Sequence, residues 1–185
     1  EGGDLVHRAL ELDAKPTPAR VRALRAGSQL AWWRGDYAQT ARYNDALVDC
    51  AAAIDDAWGR AWAPMGVGAV ELFCDPVVAL ALFEDSRRRF EALERRWEAG
   101  YALQLIGAAR WFGGDEPGAR AAFEQAVEIF ERLRHRSVLA SVRRGAGRAG
   151  LAVRLRHAGA AFGQPGRGSA RGLARLRPGR RPCRA

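Results

Sequence analysis

Lysine is nearly absent from this chain: Lys15 is the only one among 30 basic residues. No Gly-Lys pair occurs, which excludes the phosphate-cradling P-loop. Histidine is scarce too. His7, His135 and His157 stand far apart, and no cysteine shares helical spacing with any of them, so a metal site has no ligands to build on. Cysteine is limited to Cys50, Cys74 and Cys183, an odd number at wide spacing. That argues against a disulfide framework and for a reducing cytoplasm. No apolar run approaches the ~18 residues of a membrane helix, and no secretory signal is visible. No segment alternates as a strand would. Acidic residues are missing altogether after Arg136.

What the chain does contain is a repeat. Asp36, Asp75 and Asp115 each open a similar helical segment, at intervals of 39 and 40 residues. Four positions after each aspartate come Thr40, Ala79 and Ala119; eight after, Asn44, Phe83 and Phe123. Fifteen after come Ala51, Phe90 and Phe130; eighteen after, Ile54, Leu93 and Leu133. These offsets trace one face of a helix. Small residues early on that face let a neighbouring helix approach, and large apolar residues later fill the core. Each aspartate stands where an N-cap belongs, and Pro76 takes the favoured first-turn place after Asp75.

A second apolar helix precedes each of these segments, over residues 21–33, 58–73 and 97–112. Gly35 and the Gly113-Gly114 pair supply the breaks before the next aspartate. Pro64 falls inside the middle one of these helices and is expected to kink or shorten it. Thr17-Pro18 starts the first helix cleanly. Residues 4–14 read as the end of an earlier unit, and 137–139 as the start of a fourth. With no initiator Met, the chain reads as a window cut from a longer solenoid.

The third unit runs Gly107, Gly114-Asp115, Ala119, Phe123, Ala126. It resembles a tetratricopeptide repeat, and Gly35-Asp36-Tyr37 repeats its turn. The period exceeds the usual ~34 residues. Units of this length, rich in Ala, Arg and Leu, resemble the helical-repeat regions of large bacterial regulators of the LuxR and MalT-like type. The resemblance implies an all-α, right-handed α-solenoid of antiparallel helix pairs. It also implies that the first helix of each unit lines a concave groove. Carried over by register, that groove holds Arg22, Arg25, Gln29 and Trp32 from the first unit, Glu71 from the second, and Tyr101, Gln104 and Trp111 from the third. Aromatics mixed with Arg and Gln are residue types that anchor a peptide. The competing reading is that these tryptophans fill a tight superhelix, and Trp58 and Trp97, at helix starts, are expected to pack between units.

The net charge of +9 hides a division. Up to Arg136 the chain carries 18 basic and 21 acidic residues; beyond it come 12 arginines and no acid. Residues 1–142 are therefore expected to form the repeat domain, and residues 143–185 an Arg-, Gly- and Ala-rich basic tail. One reading makes that tail a nucleic-acid-binding arm acting on phosphates. Another makes it non-native sequence, a GC-rich gene read in a shifted frame. Gly145, Gly147 and Gly150 match a dinucleotide-binding pattern, but neither the strand before it nor the acid after it is there. The Arg87-Arg88-Arg89 run sits among acids, and Glu84–Arg88, Asp85–Arg89 and Glu91–Arg95 are spaced as ion pairs on an ordinary exposed helix face.

No nucleophile–base spacing supports catalysis, and no cofactor is implied. The sequence expectation is a non-enzymatic, cytoplasmic module, part of a bacterial signalling or transcriptional regulator. Its partner would be a protein or peptide segment, another domain of the parent chain, or a small effector.

Overall fold

The computed structural model of this chain describes Arg8, Leu10, residues 14–136 and residues 138–147. Six helices carry the array: α1 Pro18–Trp33, α2 Tyr37–Ala53, α3 Ala57–Glu71, α4 Pro76–Ala92, α5 Arg96–Phe112 and α6 Glu116–Arg132. Each helix packs on the next, and α1 also meets α3. No strand occurs among the described residues. The fold is an all-α repeat solenoid of antiparallel helix pairs, three of them complete.

The three repeat aspartates are N-caps. Asp36 accepts from the Gln39 N–H at 2.9 Å, Asp115 from the Gly118 N–H at 2.9 Å, and Asp75 from both Val77 and Val78 at 3.0 and 3.1 Å. Asp56 does the same for α3, accepting from Gly59 at 2.7 Å, and Thr17 caps α1 through the Arg20 N–H at 3.1 Å. Such caps contribute about 1 kcal/mol each. The aspartate also closes the helix behind it. The Asp36 N–H reaches back to Ala31 O and the Asp115 N–H to Arg110 O. Gly35 and Gly114, at φ 75° and 87°, supply the left-handed residue such a closure uses. The second helices end the same way without glycine, at Asp55, Glu94 and Arg134, with φ between 52° and 56°.

The second unit departs from this scheme. α3 begins in phase with α5 but stops at Glu71, two residues early by the 39-residue repeat. The Cys74 and Asp75 N–H groups both donate to Glu71 O at 2.8 Å, in a turn with no left-handed residue. This is where cysteine replaces the turn glycine. Pro64, expected to kink or shorten this helix, lies inside it, and the helix runs on for seven residues to its early end. Cys50 is a buried free thiol. Cys183 lies outside the described residues.

The core follows the repeat register. Thr40, Ala79 and Ala119 are fully buried, as are Ala51, Phe90 and Phe130. At the eighth position Phe83 and Phe123 are buried against glycines of the preceding first helix. A Cβ on Gly68 would meet Phe83 at 2.7 Å, and one on Gly107 would meet Phe123 at 2.8 Å. Leu93 and Leu133 are exposed rather than core, whereas Ile54 at the same position of the first unit packs against it. Beyond α6, residues 138–147 are helical. Val142 is fully buried, and Gly145 lies against Phe123, close enough that a Cβ would meet the ring at 2.8 Å. The boundary expected at residue 142 thus falls within a helix that continues the array.

Candidate partner-binding face

The first helices of the three units bring their polar and aromatic residues together. Arg22, Arg25 and Gln29 recur at three- and four-residue spacing on α1, as do Trp58 and Trp62 on α3 and Trp97 and Tyr101 on α5, so each set shares one helix face. The Arg22 guanidinium lies 4.8 Å from the Trp58 ring centre, and that of Arg25 lies 4.2 Å from the Trp62 ring. Trp62 packs on Trp58 at 5.7 Å and on Tyr101 at 5.9 Å. Tyr101 in turn stacks on Trp97, with ring centres 5.5 Å apart and planes within 9°. The Trp58 indole donates to Glu98 Oε1 at 2.9 Å. The Tyr101 hydroxyl donates to Gln29 Oε1 at 3.2 Å, and the same oxygen accepts from Arg25 Nη2 at 3.3 Å.

The Gln29–Tyr101 contact spans the middle unit. α1 and α5 are separated by α3, and the two side chains meet beside Trp62 of that helix. This side is substantially filled by its own residues. Burial holds the Tyr101 hydroxyl above the ordinary tyrosine value, with Gln29 and Arg25 opposing. Burial likewise lowers the Arg25 guanidinium from its usual value, against the field of Tyr101 and Glu98.

Beneath the Gln29–Tyr101 contact lies a cavity of about 40 Å³, walled by α1, α2, α3 and α5. Arg25, Gln29, Trp32 and Tyr101 line it, so four of the eight residues chosen from the sequence converge there. Trp32 is held within the fold: its indole donates to the Ala69 carbonyl at 3.2 Å, in the last turn of α3. The other four are dispersed. Arg22 lies further toward the start of α1, bridging to Asp56 at 3.4 Å. Gln104 donates to Ser141 Oγ at 3.2 Å. Trp111 is half-buried against the core, and Glu71 closes α3 through its carbonyl. Trp58 joins the neighbouring unit through Glu98, whereas Trp97 packs on Tyr101 and Phe130 of its own unit and on His135 in the turn that follows.

Sequence reasoning missed Trp62 and Asn44. Trp62 is four residues after Trp58 and one 39-residue repeat before Tyr101, so both the spacing and the repeat made it visible. Asn44 occupies the position where the later units have phenylalanine, and that break in the pattern was the available signal.

The charged surface of α4 pairs differently from expectation. Asp85–Arg89 forms at 2.9 Å. Arg87 takes Glu91 at 2.9 Å, and Glu84 reaches Arg110 at 3.5 Å. The expected Glu84–Arg88 and Glu91–Arg95 pairs are replaced because nearer or less solvated partners are available. A second exposed surface runs along the turn edge: Phe73 packs edge-on between Tyr37 at 6.2 Å and Phe112 at 5.1 Å, with Val77 74% exposed beside them. The phase shared by Trp33, Leu72 and Phe112 slips there by one residue, leaving Leu72 buried and Phe73 outside.

No group of three potential metal ligands occurs among the described residues, and none of the described helices is long and apolar enough to cross a membrane. His7 and His157 lie outside the described residues, as does the tail from 148 onward, including Gly150, on which the nucleic-acid reading and the dinucleotide pattern depend. No family model matches the chain, and no curated protein matches it.

Proposed function

We propose that this chain is a non-enzymatic interaction module whose α1–α3–α5 face receives a peptide segment or another domain of its parent protein. The observation that carries this reading is the layer of arginines stacked on tryptophans along that face, Arg22 on Trp58 and Arg25 on Trp62. Flat, rigid aromatics next to guanidinium groups supply contact area and directional hydrogen bonds at little entropic cost, the combination that dominates binding energy at interfaces. Placement in a cytoplasmic bacterial signalling or transcriptional regulator follows from the resemblance of its units to the LuxR and MalT-like repeat regions.

The test is selection of binders to the full chain from a random peptide library, read by tryptophan fluorescence. Arg22 has a half-exposed side chain, so Arg22→Ala should leave the melting temperature nearly unchanged while weakening selected peptides by roughly tenfold. A plain scaffold would yield no binders, or binders indifferent to Arg22→Ala; either result refutes the proposal.

A further inference from the structure

The cavity under Gln29 and Tyr101 contains hydrogen-bond donors with nothing to receive them. Asn44 is 4% exposed and its Nδ2 has no partner; Trp62 is 6% exposed and its Nε1 has none either. Both residues line the cavity. The other hydroxyl and indole donors around it are all engaged. Ser28 Oγ donates to Asn44 Oδ1 at 2.7 Å, Thr40 Oγ1 to Asp36 O at 2.8 Å, Trp32 to Ala69 O, and Tyr101 to Gln29. Gln29 Oε1, the side-chain acceptor at the mouth, is already doubly occupied. An indole N–H can only donate, so its missing partner is an acceptor. Burying such groups unpaired is costly, which makes the pair a specific demand rather than a loose end.

The charge points the same way. Among the described residues the Arg25 guanidinium has a neutral amide as its side-chain hydrogen-bond partner and feels Glu98 only through space, without an ion-pair contact. It sits flat on the ring of Trp62, whose own N–H is unpaired. Size limits the occupant. A cavity of about 40 Å³, against the ~10–15 Å³ needed for one water, holds roughly three or four heavy atoms. One guanidinium and two neutral donors balance a single negative charge, and phosphate is both too large and too highly charged for them.

We propose that this cavity is a binding site for one small monoanion of carboxylate size, held by Arg25, Asn44 and Trp62. The carboxylate can arrive free in solution or on the side chain of an acidic peptide, and the site stands whether or not the peptide-docking reading holds.

The six tryptophans give six indole N–H signals in a ¹H–¹⁵N spectrum, and Trp62→Phe identifies its own. The full chain is titrated with sodium acetate against sodium chloride at constant ionic strength. The Trp62 signal should move downfield and saturate, while the other five move little. Asn44→Asp, nearly isosteric but anionic, and Arg25→Gln should each weaken acetate by at least ~10-fold. Should Asn44→Asp not fold, Gly66→Ala serves instead, since a Cβ there would meet Asn44 Oδ1 at 2.4 Å and drive the amide out of place. The proposal is overturned if the Trp62 signal follows chloride equally, if phosphate displaces acetate, or if the folded variants bind as well as the parent. A peptide pair differing by Glu→Gln then identifies the source. Displacement of acetate by the Glu peptide alone assigns the site to a peptide-borne carboxylate, and displacement by neither assigns it to the free anion.

Discussion

Tyr101 is the residue on which the first-helix face turns. It stacks on Trp97, touches Trp62, and closes the cavity through Gln29. Its hydroxyl titrates above the ordinary value of 10.0 because burial disfavours the phenolate. Below pH 10 both folded and unfolded chains keep the proton, and the full contribution is present. As pH rises past that value the unfolded chain ionises first, so stability is lost progressively through the folded titration, by up to about 1.4 kcal/mol per pH unit. Alkaline denaturation should therefore begin close to pH 10 in the parent. Tyr101→Phe should remove that dependence while lowering stability at neutral pH by about 1 kcal/mol, the value of one hydrogen bond; denaturant midpoints at pH 7 and pH 10.5 check both. At this scale the sequence was only partly legible. Helical phase put Arg25, Gln29 and Tyr101 on one face, because periodicity reports direction. It could not say that Gln29 and Tyr101, 72 residues apart, would touch, because that depends on packing accumulated over two units.

Helix boundaries were far more legible, and the reason is chemical. Asp36, Asp75 and Asp115 do two jobs at once: the backbone N–H closes one helix and the carboxylate caps the next. Aspartate is favoured in that double role, so it recurs in the sequence. The exception tests the rule. α5 begins after Arg95, which makes no side-chain cap, although its backbone at φ −86°, ψ 76° closely matches Asp36 and Asp115. An arginine there also places positive charge against the positive end of the helix dipole. Arg95→Asp should raise stability by about 1 kcal/mol, visible as an increase in the thermal midpoint. An unchanged midpoint would show that cap geometry alone does not predict the gain. The end of α3 was less legible: Cys74 in place of the turn glycine marked the departure, but not where the helix would stop.

Across the whole molecule, a solenoid is ordinarily a chain of nearest neighbours whose stability is a sum of unit and interface terms. This one has an added link. Gln29 in the first unit and Tyr101 in the third are hydrogen-bonded across the second. That contact gives the array a coupling that a one-dimensional stack lacks. A double-mutant cycle isolates the term. Gln29→Leu and Tyr101→Phe each remove the bond while preserving bulk, and the pair should be non-additive by about 0.5–1.5 kcal/mol. Strict nearest-neighbour behaviour predicts additivity within ~0.3–0.5 kcal/mol. Native-state hydrogen exchange gives the spatial counterpart: Gln29→Leu should lower amide protection in α5 as well as in α1. Loss confined to α1 would mean that the arrangement is imposed by helix packing alone, with the hydrogen bond its consequence and not one of its causes.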